Sequence, residues 1–251
     1  VIVPNLYRQV VALDRNQHRS LRLKQAPFKN LSRTAEMNAA FVAAVEFADV
    51  SREYPIVFVR AGKDAKTGED LVAPMAVLGL KQKENLYLLS EGRWRTPYLP
   101  AVLRRYPFAM AEAEGDRRVV CIDRDCEDFS NSEGEPLFGA DGQPTPLLAD
   151  LQNFLDSFEQ QVVRTRVFCA RLLKADVLRE MRFDVTMSDG NTLAVDGFLS
   201  VDESRLAALP DADVLELQRT GMLALVHLQQ ASMGLLRRLV EWRSEAARPA
   251  I

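Results

Sequence analysis

Gly92-Arg93-Trp94-Arg95-Thr96-Pro97-Tyr98-Leu99-Pro100, followed by Arg104-Arg105-Tyr106-Pro107-Phe108, is the stretch richest in side chains that could do chemistry. A guanidinium beside an aromatic ring can hold an anion, a carboxylate tail or a flat ring by forked hydrogen bonds and stacking. Arg93, Trp94, Tyr98, Arg104, Arg105 and Tyr106 are therefore the candidate ligand-binding residues, with Tyr98 or Tyr106 available as an acid or base. A structural reading competes with this one. In it Trp94, Tyr98, Tyr106 and Phe108 pack a helix onto a sheet while the arginines face water, and the same texture also suits a protein interface.

Other clusters offer less. Asp123, Asp125, Glu127, Asp128, Glu133 and Glu135 form an acidic loop whose spacing is not that of a calcium-binding EF-hand. A solvated loop is expected there, or pairing of Asp123 and Asp125 with Arg104 or Arg105. Cys121 and Cys126 would need two more ligands to hold zinc, and only Cys169, His18 and His227 remain. No metal and no cofactor are expected. Phosphate-cradling glycine loops, the Gly-x-Ser-x-Gly elbow and His-Glu-x-x-His are all absent. A Cys169–His227 dyad has no local support. No catalytic residue is assigned.

The bulk numbers narrow the partners. With 32 Lys+Arg against 35 Asp+Glu the net charge is −3, which gives no global attraction to nucleic acid or anionic lipid. No uncharged apolar run is long enough to span a bilayer. Val1 to Asn5 show no charged segment leading into an apolar one, so the expected location is the cytoplasm. An odd, sparse set of cysteines fits a reducing compartment.

These side chains must be positioned by elements that the patterning outlines. Ser32 or Thr34 is expected to cap a helix running through Glu36, Phe41, Val45 and Phe47. Tyr54–Val59, Pro74–Leu80 and Asn85–Leu89 read as strands of an antiparallel meander. Leu103–Tyr106 is a short helix stopped by Pro107, and Val119–Asp123 a further strand. Leu151, Phe154, Leu155, Phe158, Val162 and Phe168 stripe one face of a long helix over Leu147–Lys174. Met181, Phe183, Val185 and Met187 alternate as a half-buried strand. Ser188-Asp189-Gly190-Asn191 turns it into a partner strand, Thr192–Val201. Asp202-Glu203 opens a short helix. A last helix near Gly221–Trp242 carries Met222, Leu225, Leu228, Met233, Leu235 and Leu239, as core or as a surface for self-association. Segregated strands and helices argue an α+β fold: an antiparallel meander packed with long amphipathic helices, then a hairpin and helix. One domain over 1–251 is expected, with a candidate subdomain boundary at 134–146.

Several phrases resemble the SapC family of bacterial proteins. They are Tyr54-Pro55-Ile56-Val57-Phe58, Ala76-Val77-Leu78-Gly79-Leu80, Glu84-Asn85-Leu86-Tyr87-Leu88, the Gly92–Pro100 and Arg104–Phe108 stretches, Gly134-Glu135-Pro136-Leu137-Phe138 and Val201-Asp202-Glu203. The resemblance runs from about Tyr7 to Trp242. It implies a link, by name, to surface-layer formation, and a genomic neighbourhood of halogenase-like flavoproteins and outer-membrane receptors. It brings no catalytic residues with it. Together these readings point to a non-catalytic accessory protein that binds a protein partner or itself. The rival is a binder or enzyme for a small anionic or aromatic ligand, working through the Arg-aromatic segment.

Overall fold

The computed structural model of the chain describes residues 6–24, 31–112, 118–186 and 192–246. Short strands β1 (Val10–Ala12), β2 (Arg22–Leu23) and β3 (Ala39–Phe41) precede helix α1 (Phe47–Val50). Strands β4 (Ile56–Lys63) and β5 (Asp70–Val77) form a hairpin, followed by helix α2 (Ala101–Arg104) and strands β6 (Phe108–Glu112) and β7 (Arg118–Asp123). Strands β8 (Phe129–Ser130) and β9 (Glu135–Pro136) lead into helix α3 (Pro146–Lys174). Strands β10 (Leu178–Thr186) and β11 (Thr192–Val201) come next. Helices α4 (Glu203–Ala207), α5 (Asp211–Arg219), α6 (Met222–Ser232) and α7 (Leu236–Ala246) follow.

All strand pairing is antiparallel, in sheets ordered β1-β7-β6, β10-β11-β4-β5-β3 and β8-β2-β9. The fold is α+β. The five-stranded sheet is joined across a long sequence gap, and β11 meets β4 in register only at Leu199 and Phe58. Polar side chains of α6 serve the β4 backbone beside that contact. Ser232 Oγ accepts from Ile56 N at 2.9 Å, and Gln229 Nε2 donates to the Ile56 carbonyl at 2.9 Å and to Ser200 Oγ at 3.0 Å. Both side chains are fully buried, and their partners remove the penalty of burying them.

Helix α3 is the beam of the structure. Thr145 caps it by accepting from Leu148 N, and Pro146 occupies its first turn, where a missing N–H costs nothing. Its apolar stripe divides between two cores. Leu148 and Leu155 pack with Leu23, Phe108, Ile122 and Leu137, whereas Phe158, Val162, Phe168 and Cys169 join the larger core under the five-stranded sheet. The Met- and Leu-bearing last helices turn inward: Val226, Leu236 and Leu239 are buried, and Met222, Leu225, Leu228, Met233 and Trp242 pack on the same core.

The structure corrects some expectations. No single helix spans 32–47. Thr34 instead bonds back to the Leu31 carbonyl in a 3-10 turn, β3 pairs with β5, and Val45 is 64% exposed. Sheet pairing overrode a spacing that fits a helix. Asn85–Leu89 is not a strand. Asn85 Oδ1 accepts from Tyr87 N at 3.1 Å, and the Glu84 carboxylate accepts from Leu80 N at 2.9 Å. Side chains that bond nearby backbone compete with a ladder. The chain folds so tightly here that a Cβ on Gly79 would lie 2.0 Å from the Glu84 carbonyl oxygen. In β10, Met181 is 43% exposed rather than half-buried. The last helix is interrupted by a 3-10 turn at Met233–Leu235, and α5 and β6 are elements the patterning missed. The turn expected at 188–191 lies outside the described residues.

Candidate functional site

The segment 92–108 folds over the edge of the larger core, and its candidate residues go to different places. Trp94 joins an aromatic pile: Tyr54 and Tyr87 stack at 4.4 Å, Tyr87 and Trp94 at 5.8 Å, and Trp242 meets Tyr87 edge-on at 5.1 Å. Trp94 Nε1 donates to Tyr54 Oη at 2.6 Å, and the Tyr54 hydroxyl in turn donates to the Tyr98 carbonyl. The arginine that works with this pile is Arg95, which lies 4.5 Å over the Trp242 ring and donates Nε to the Leu86 carbonyl at 3.0 Å. Arg93 is exposed.

Tyr98 and Arg104 do come together, around a residue the sequence did not single out. Glu46 is 4% exposed and closes a 3-10 turn that leads into α1. Its carboxylate accepts from Ala43 N at 2.9 Å, Ala101 N at 2.7 Å and Tyr98 Oη at 2.8 Å. It thereby ties the start of α2 to the segment before α1. Arg104 Nη2 donates to Tyr98 Oη at 3.4 Å, and its guanidinium lies 5.6 Å from both the Tyr98 and Phe154 rings. The signal for Glu46 was a lone carboxylate in the apolar run 39–47.

Arg105 and Tyr106 turn to separate carboxylates. Arg105 is 1% exposed, sits 4.9 Å over Phe158 and contacts Glu159 Oε1 at 3.3 Å. Tyr106 Oη donates to Asp123 Oδ2 at 3.1 Å. Asp123 is fully buried and also accepts from Gln9 N at 2.9 Å, Arg8 N at 3.2 Å and Arg33 Nη1 at 3.4 Å. Its arginine is therefore Arg33, not Arg104 or Arg105. Among the described residues no group of three or more His, Cys, Asp or Glu is placed to hold a metal ion.

A cleft lies elsewhere, between β5 and α3. Its volume is about 290 Å³, and Phe41, Val72, Pro74, Val162, Cys169 and Leu173 supply apolar walls. None of the six sequence candidates lines it. β5 places Val72 and Pro74 on one wall because alternate residues share a sheet face, and α3 places Val162, Cys169 and Leu173 on the other at helical spacing. Thr165 Oγ1 also borders the cleft, but it already donates to the Gln161 carbonyl at 2.7 Å and accepts from Ala44 N at 2.8 Å. Arg166, Glu69 and Asp70 also line it, with Asp70 paired to Lys63 at 2.8 Å.

The ionisable groups behave as buried ones. Burial pushes the Cys169 thiol up to about 12, and Cys121 and Cys126 are raised for the same reason. A thiol so held is not a nucleophile near neutrality. At about pH 8 a thiol reagent is expected to leave the native protein unlabelled over minutes and to titrate all three thiols in denaturant. Rapid native labelling would contradict this burial.

Tyr7, Tyr54, Tyr87, Tyr98 and Tyr106 are all raised above the ordinary tyrosine value, chiefly by desolvation, with Glu46 adding to the effect at Tyr98. The unfolded chain releases these protons near pH 10 while the folded chain keeps them. Their contribution to stability is therefore complete below about pH 10 and is lost as pH rises above it. Urea midpoints should fall between about pH 9 and pH 11, with a matching late rise in tyrosinate absorbance on unfolding.

No helix of the described residues is long and apolar enough to cross a membrane. No curated protein and no solved structure matches the chain. The SapC family model matches residues 13–239, most of the 251-residue length. That span takes in every strand except β1, the Arg-aromatic segment and both walls of the β5–α3 cleft, and the chain belongs to the SapC family.

Proposed function

We propose that the protein is a non-catalytic accessory factor that acts by binding, in the cell-envelope or surface-layer setting that the family name implies. The observation that carries this reading is the β5–α3 cleft: it has apolar walls, and its one thiol is held protonated. Such a cleft is suited to holding a molecule rather than turning it over. Beside it Val163 and Val167, one turn apart on α3, are 59% and 57% exposed and give a partner something apolar to touch. Three buried, unpaired cysteines favour a cytoplasmic location. Native mass spectrometry of the untreated protein tests the reading. A discrete bound mass or a defined oligomer is expected, and a bare monomer with no co-purifying partner would count against it. Fractionation of the native cell checks the location.

A second reading keeps a small anionic or aromatic ligand at the Arg-aromatic segment. It is favoured by buried guanidinium nitrogens that have no hydrogen-bond partner among the described residues: Arg104 Nε, Arg105 Nε and Arg105 Nη2. In this case Tyr98 and Arg104, the two candidates that the structure brings together, hold the ligand, and Arg104→Ala removes the bound mass. Retention of that mass in the variant would exclude the segment as the binding site.

A further inference from the structure

We propose that the β5–α3 cleft binds a small amphipathic anion, with its apolar body between β5 and α3 and its negative head at Arg166, where a neighbouring basic cleft begins. This deepens the binding reading above and rests on it. A second, more open cleft of about 630 Å³ lies beside the first, and the two share Val162 and Arg166. Its charged lining is Lys66, Arg118, Arg164 and Arg166 against Glu112 and Glu159. Glu159 is engaged by Arg105, and Arg118 faces Asp156 at 3.5 Å. Arg164 and Arg166 are exposed and make no ion pair with any described residue. The apolar slot therefore meets the basic cleft at Arg166, whose guanidinium can bind a carboxylate or sulfate by charge-assisted, forked hydrogen bonds.

Of the carboxylates in the slot, Asp70 already has Lys63, and Glu69 makes no ion pair with a described residue. The slot's own charges nearly cancel, and the head is drawn instead to the neighbouring cleft, where Lys66, Arg164 and Arg166 outnumber the one acid without an ion pair, Glu112. Size restricts it further. About 290 Å³ sits at the lower bound of small-ligand cavities (about 300 Å³), so a single short chain or one ring fits and a two-chain lipid does not. The walls are apolar enough to favour such a body, and the Thr165 hydroxyl has no free proton to offer it.

Calorimetric titration with decanoate, decanol and decyltrimethylammonium, each below its micellar range, tests the assignment. Decanoate is expected to bind about tenfold more tightly than decanol, the scale of a charged hydrogen bond, and the cation not to bind. The double variant Arg164→Gln/Arg166→Gln should erase the difference between acid and alcohol, and Ala170→Phe, which fills the slot, should block both. Equal binding of acid and alcohol, both blocked by Ala170→Phe, would overturn the anion assignment while leaving a binding cleft in place. Binding that ignores Ala170→Phe would place the ligand elsewhere. If no probe binds, the inference fails, and native mass spectrometry of the untreated protein decides the broader reading separately. Carbon-13 methyl spectra of the unmutated protein make the test independent of any variant's folding. Decanoate should shift Met75, which lines the slot, and leave Met37 and Met181 in place; an unmoved Met75 refutes the site.

Discussion

Glu46→Ala is expected to lower the unfolding free energy by about 4 kcal/mol. The carboxylate is the shared acceptor for two backbone N–H groups, of Ala43 and Ala101, and for the Tyr98 hydroxyl. Alanine leaves all three donors facing a space that water reaches poorly, since Glu46 is 4% exposed and Ala101 5%. Each buried orphan costs about 1–3 kcal/mol, and Tyr98, only partly buried, recovers some of that by turning to solvent. Glu46→Gln should cost much less, about 1–2 kcal/mol. Its carbonyl can keep the Ala101 and Tyr98 bonds at the Oε1 position, and only the Ala43 N–H then faces another donor. Urea unfolding of the three proteins checks both numbers. If alanine and glutamine variants lose the same small amount, the carboxylate is not the tie between α1 and α2 that the geometry makes it.

Removing the partner of Arg105 should be almost as severe. Its side chain is fully buried and touches one carboxylate, that of Glu159, at 3.3 Å. Glu159→Ala leaves the buried guanidinium over Phe158 without its carboxylate, with an expected loss of about 3 kcal/mol, or roughly 6–12 °C in melting temperature for a chain of this size. Arg105→Met should behave in the opposite way. The charge and its unmet nitrogens disappear together while an unbranched apolar side chain fills the space, so stability is expected to stay within about 1 kcal/mol of the original or to rise. In the Arg105→Met background the Glu159→Ala change should then cost little, which a double-mutant cycle reads directly. Additive losses would show that the pair is not coupled.

The sequence resolved what depends on near neighbours. Helix α3 was legible from 147 to 174 because its six apolar positions recur at helical spacing. Its capping threonine and first-turn proline added only a residue to that range. The pair β10–β11 was legible for the same reason, from alternation and a turn signal between two β-favouring runs. The inner parts of the strands at 56–63 and 70–77, the strand at 118–123 and the short helix before Pro107 also follow from local propensity, read as 54–59, 74–80, 119–123 and 103–106; the outer hairpin arms at 60–63 and 70–73 were not read as strand. Where the reading failed, a distant partner outweighed the local preference. Residues 39–41 have a spacing fit for a helix and become a strand because β5 offers them a ladder. Asn85–Leu89 looks like a strand and coils because Glu84 and Asn85 take the backbone first.

The same division holds for the site. Composition and spacing established that aromatic and arginine side chains crowd one segment, that reactive histidine and cysteine pairs are scarce, and that no long apolar span is present. They did not determine which arginine meets which acid. Asp123 found Arg33 rather than Arg104 or Arg105, Arg105 found Glu159, and Tyr98 found Glu46, across separations that no local pattern records. Only the tertiary structure made those pairings, since a buried charge or hydroxyl takes whichever partner packing brings within reach. The β5–α3 cleft has the same origin: its walls lie about ninety residues apart in the chain, and their shape exists only once the helix has settled on the sheet.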